Sequence, residues 1–153
     1  MRRRTLGFTL IELVIALLIG TILTSIALST FNTARGRLSV RSAKATYASL
    51  QARGRAIGIE RGTAISFWVD SSGDSAYIET AAGVQEVIRF GQEMNIDLRS
   101  VPATFELCMT PRGYADPDCG TPTPFPPFIR LQFWQNADST SVLILPMGQL
   151  VGM

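Results

Sequence analysis

From Phe8 to Phe31 the chain is apolar almost without interruption, and Glu12 is the only charged residue in that stretch. A segment without a polar face predicts a helix that buries itself in something other than the chain's own core. Its 24 residues would make a helix about 36 Å long, enough for a bilayer core of about 30 Å. The pattern then narrows. From Leu38 the less polar positions are Ala43, Tyr47, Leu50, Gly54 and Ile57, a helical stripe of mostly small members against which a sheet can come close. One helix is therefore expected from about residue 8 to 61, with Arg61 favourable in its last turn and Gly62 as its C-terminal cap. Beyond Gly62 the period falls to two. Strands are expected at 64–69 and 76–80 around the turn Asp70-Ser-Ser-Gly-Asp74, and at 84–90, 96–98, 104–109, 129–134 and 142–145. Phe105/Leu107, Ile129/Leu131/Phe133 and Val142/Ile144 alternate as half-buried strands do. The stretch 110–128, dense in proline, glycine and aspartate, reads as a long surface loop.

Charge divides the chain in the same way. The formal net charge of +2 includes Arg2, Arg3 and Arg4, which precede the apolar run. Residues 33–61 hold Arg35, Arg37, Arg41, Lys44, Arg53, Arg55 and Arg61 against Glu60 alone, a net +6. Residues 62–153 hold four arginines against ten acids, a net −6. A basic stalk followed by an acidic head suits attraction between neighbouring copies, and a solvated helix face explains the stalk as cheaply.

The order Arg2-Arg-Arg-Thr-Leu-Gly7, then Phe8-Thr-Leu-Ile-Glu12-Leu, carries the chemistry. A carboxylate at the centre of a membrane helix costs about 2.5–3.5 kcal/mol, less near an end, so Glu12 calls for a function. A secretory signal peptide, with Ala27-Leu-Ser29 as its cleavage site, leaves the length of the run and Glu12 unexplained. An ordinary single-pass anchor explains the length and the arginines but not the residue order. The order resembles the class III signal of type IV prepilins and type II secretion pseudopilins. The resemblance implies that a prepilin peptidase cuts after Gly7 and that Phe8 becomes the N-methylated first residue. It also implies that Glu12, the fifth mature residue, pairs with the Phe8 amine of a neighbouring subunit during assembly. The three arginines place the N-terminus in the cytoplasm, with the head on the periplasmic side of the inner membrane.

The family implies an α+β, pilin-like fold: a leader at 1–7, a membrane and filament-core helix at 8–31, an amphipathic continuation at 32–62 packed against a β-rich head at 63–153. The head looks most like the GspH/FimT group of minor pilins and pseudopilins, through Ile129-Arg-Leu-Gln-Phe-Trp134, the polar turn at 136–140, Val142-Leu-Ile-Leu-Pro146 and Gly148. Partners implied are the prepilin peptidase, major and other minor subunits, and the inner-membrane assembly platform. In an exported head Cys108 and Cys119, the only two cysteines, are expected to form a disulfide closing the loop that follows 104–109.

Some members of that group bind DNA in uptake through arginines beside the last glycine. Here the chain ends Gly148-Gln-Leu-Val-Gly-Met153 without a base, and phosphate attraction rests on Lys and Arg, so DNA is not expected as a partner. With no histidine in the chain, no nucleophile–base dyad and no phosphate-binding loop, neither an enzyme nor a cofactor or metal is expected. A plain turn accounts for 70–74 without calcium.

Overall fold

The computed structural model describes residues 9–152, the side chains of Asn32 and Thr33 excepted. One helix, α1, runs from Leu10 to Arg61. Contacts divide the chain into two compact units, one ending at Arg35 and the other beginning at Gly36.

The described part of the first unit is helix from Leu10 on. Its hydroxyls bond back into the helix: Thr21 to the Leu18 carbonyl at 2.8 Å, Thr24 to Gly20 at 2.7 Å, Ser25 to Thr21 at 2.9 Å and Thr30 to Ile26 at 3.0 Å. A side-chain donor satisfied within its own turn is what apolar surroundings require.

The second unit builds two antiparallel sheets on the continuation of α1. The strands are β1 (Ile65–Asp70), β2 (Ser75–Thr80), β3 (Gly83–Arg89), β4 (Asp97–Arg99), β5 (Thr104–Met109), β6 (Ala115–Thr121), β7 (Ile129–Gln135), β8 (Asp138–Ile144) and β9 (Leu150–Val151), with a short helix α2 (Phe90–Met94) between β3 and β4. Sheet A has the order β3-β2-β1-β5-β6 and sheet B the order β4-β7-β8-β9. The architecture is α+β and pilin-like, as the resemblance implied.

Both sheets share one core with the helix. Val40, Ala43, Tyr47 and Leu50 of α1 are buried with Phe67, Ile78, Phe105 and Leu107 of sheet A and with Leu131, Phe133 and Ile144 of sheet B. Tyr47 is the pivot, edge-on to Phe67 at 5.8 Å and to Phe133 at 5.9 Å. Gly54 brings sheet A onto the helix. A Cβ there would lie 3.4 Å from Ile65 and Phe67 side-chain carbons. The buried stripe starts at Val40; Leu38, where the sequence pattern started it, is exposed.

Three expectations need correction. The stretch 110–128 is not all loop, because β6 pairs with β5 through Met109↔Ala115, Cys108↔Asp116 and Glu106↔Thr121. Asp116-Pro117-Asp118 reads as a turn, but β6 is the edge of its sheet, where a strand tolerates proline. The strand expected at 84–90 ends at Arg89, and Phe90 opens α2 with its ring buried. The polar turn expected over 136–140 is shorter. Gln135 already pairs with Asp138, with Asn136 at φ 54° making the reversal, a conformation asparagine tolerates.

Candidate functional site

Gly7 and Phe8 lie outside the described residues. The described part of the signal begins at Thr9, whose hydroxyl accepts the Glu12 N–H at 3.3 Å while its carbonyl accepts the Leu13 N–H at 3.2 Å. Thr9 thus caps α1, and Glu12 stands three residues on, the spacing of a capping box. A carboxylate in the first turn also complements the positive end of the helix dipole. Glu12 has no ion pair among the described residues and sits on a surface with nothing to cover it. From Leu10 to Phe31 the large apolar side chains are between 40% and 83% exposed. A contiguous apolar surface of that extent marks an interaction site for a membrane or for other helices. One carboxylate within it is the single polar feature able to select a cationic partner.

The stalk's charges are partly used within the chain. Arg37 Nε lies 3.6 Å from Asp138 Oδ1, and Arg53 Nη1 lies 2.9 Å from Glu86 Oε1. Both bridges are exposed and worth about 0–1 kcal/mol. Two further stalk residues hold the C-terminal turn. Gln51 Nε2 and Arg55 Nη2 donate to the Gly148 carbonyl at 3.0 and 2.9 Å. Gly148 itself has φ 75°, a conformation that favours glycine. Lys44 Nζ donates to the Gly152 carbonyl. Sequence reasoning missed the role of Gln51. Its signal was a polar residue on the buried stripe, four after Tyr47 and three before Gly54.

In the head, Cys108 and Cys119 are joined, with Cα atoms 5.6 Å apart, tying β5 to β6. The carboxylates of the 70–74 turn are engaged within the head, Asp70 mainly by the turn itself and Asp74 by β4. Asp70 Oδ1 accepts the Ser72 N–H at 2.9 Å and its hydroxyl at 2.5 Å, and Thr104 Oγ1 stands 3.4 Å away. Asp74 Oδ1 accepts the Leu98 N–H at 2.6 Å. The Ser72 hydroxyl, more than the backbone N–H groups and Thr104, holds the Asp70 carboxyl below its ordinary range, against a smaller opposing effect of burial. Burial pushes the Tyr47 phenol far up. Among the described residues no three His, Cys, Asp or Glu side chains gather as metal ligands.

Residues 2–28 match the family model of the prokaryotic N-terminal methylation motif, the signal of type IV pilins. The match covers the arginines, Gly7, Phe8, Glu12 and most of the apolar helix, and stops before the head. No curated protein and no solved structure matches the chain.

Proposed function

We propose that the chain is a minor pilin or pseudopilin, a structural subunit of a type II secretion pseudopilus or a type IV pilus. On this reading residues 1–7 are a leader removed by prepilin peptidase, and Phe8 becomes the N-methylated terminus. Residues 8–31 anchor the subunit in the inner membrane and later pack in the filament core. Residues 32–62 join that helix to the periplasmic head at 63–153. The observation that carries the reading is the exposed apolar surface of α1 with one carboxylate, Glu12, inside a segment that matches the methylation motif. Pairing Glu12 with the Phe8 amine of a neighbour would neutralise two charges together in apolar surroundings, and only in one register. The major and other minor subunits and the assembly platform are the partners this requires, and none of these roles needs an enzymatic group. Placement of the head in the GspH/FimT group is supported by the β7–β8 pair running into Gly148. The DNA-uptake alternative draws no support from that end of the chain, where Arg55 is engaged with the Gly148 carbonyl and no base follows Arg130.

Co-expression with a prepilin peptidase tests the reading. Intact mass should fall by seven residues and rise by one methyl group, leaving Phe8 first. A cut near Ser29, or none, would refute it. Glu12→Ala should leave processing and anchoring intact and lower crosslinking to neighbouring subunits. Undiminished crosslinking would show that Glu12 only caps its helix.

A further inference from the structure

The apolar run is flanked by bases on both sides. Arg2, Arg3 and Arg4 precede it, and Arg35, Arg37, Arg41 and Lys44 follow within thirteen residues of Phe31. Basic residues this close to a span normally mark the side that is not translocated. Four on the exported side call for a reason to carry them, and three of the four, Arg37, Arg41 and Lys44, line adjoining grooves.

Arg37, Arg41 and Lys44 are spaced four and three apart, one face of α1. Asp138 and Thr140 of β8 stand opposite, in register with Gln135 and with the inward-facing Phe133. Between helix and strand lie two adjoining grooves of about 320 Å³ each. One is lined by Arg37, Arg41, Asp138, Ser139 and Thr140, the other by Arg41, Lys44, Ala45 and Thr140. At Gly36 an added Cβ would meet the Asp138 carboxylate at 2.5 Å, so the glycine leaves that side chain room to lie against the helix. The one acid in the groove is taken by Arg37. Lys44 donates to the Gly152 carbonyl and has no ion pair among the described residues. Arg41 and the Thr140 hydroxyl have no hydrogen bond or ion pair among the described residues. A guanidinium, an ammonium and a hydroxyl lining one groove make a set of donors suited to a phosphate oxyanion.

We propose that this groove binds the phosphodiester headgroup of an anionic phospholipid, held between Arg41, Lys44 and Thr140. The inference rests on the membrane-anchored reading above. Sequence position selects the source, because juxtamembrane bases meet lipid phosphate before any other. The subunit would hold that lipid while it waits in the membrane and release it on entering the filament.

The test uses the full chain in detergent, with native mass spectrometry counting retained lipid after addition of phosphatidylglycerol, phosphatidylcholine or inorganic phosphate. Phosphatidylglycerol should be retained over phosphatidylcholine, and Arg41→Gln and Lys44→Gln should each weaken retention about fivefold. Thr140→Val should weaken it further, and Arg53→Gln, a base paired elsewhere, should not. All four positions are exposed or half-buried, so the variants should fold, which circular dichroism verifies. Equal retention of the two lipids would overturn the proposal, as would a loss in Arg53→Gln matching that in Arg41→Gln. Displacement of phosphatidylglycerol by equimolar inorganic phosphate would overturn the lipid source in favour of a free-anion site. Displacement by a DNA oligonucleotide would overturn it in favour of nucleic acid. Insertion into vesicles of either lipid separates the two readings. A chain that inserts in both but shows no headgroup preference refutes the groove alone, and one that inserts in neither refutes the anchored reading and the groove with it.

Discussion

Replacing Tyr47 by phenylalanine should stabilise the protein. The ring is fully buried between Phe67 and Phe133, so phenylalanine keeps both edge-on contacts. The hydroxyl is buried without a hydrogen-bond partner among the described residues. An unsatisfied buried polar group costs about 1–3 kcal/mol, and deleting this one should return about 1 kcal/mol at neutral pH. Tyr47→Ala, which empties the pivot shared by helix and both sheets, should instead lose about 3–5 kcal/mol. Alkaline pH gives a second readout. Burial raises the folded phenol pKa above the ordinary 10.0, so the unfolded chain loses this proton first. The contribution is intact below pH about 10 and falls above it by about 1.4 kcal/mol per pH unit. Tyr47→Phe should remove that part of the slope. Urea unfolding of the full chain in detergent, followed by fluorescence of Trp68 and Trp134 at pH 7 and near pH 11, measures both. A loss above 1 kcal/mol in Tyr47→Phe, or an unchanged alkaline slope, would refute the reasoning and show that the hydroxyl is satisfied.

Gly54→Ala should be neutral to stabilising by up to about 1 kcal/mol, since its Cβ fits at contact distance and helix propensity rises. Gly54→Leu should lose about 1–3 kcal/mol by overpacking, read from the same unfolding curves. Reduction, or Cys108→Ser with Cys119→Ser, should lower stability by about 3 kcal/mol on the loop-closure model. Hydrogen exchange should rise mainly over β6, and uniform acceleration across both sheets would contradict that assignment. The Asp70 carboxyl is held down in the folded state. Its contribution is therefore present above the ordinary value of 3.8 and is lost as pH falls below that through the lowered folded value. Asp70→Asn should flatten the acid limb of a thermal-stability profile, and an unchanged limb would assign that loss to other acids.

The strands that the sequence shows best are those with one wet face. Ile129, Leu131 and Phe133 alternate with polar neighbours, and β7 follows them almost to the residue. β6 is hidden because pairing on one side only, plus a disulfide, suffices to hold residues whose local preference is for a turn. α2 and β9 are too short for any period to register. In the signal, Glu12 stands out by charge alone, whereas the Thr9 cap is visible only once the helix start is known. Arg55 reads as a solvated charge of the stalk and Gln51 as a polar residue on the buried stripe, yet the turn that partners both is almost a hundred residues away, so no local pattern names it.

The inward-bonded hydroxyls of the apolar segment bear on how such helices find their alignment. Thr21, Thr24, Ser25 and Thr30 direct their protons to their own backbone and offer none to a neighbour. Sliding one such helix along another therefore meets only the shallow corrugation of side-chain packing, repeating about every 5.4 Å. Glu12, the only charge in the segment, breaks that near-degeneracy. On the proposed reading, a subunit would shift by whole turns at little energetic penalty until its carboxylate met the amine of a neighbour, and would stop there.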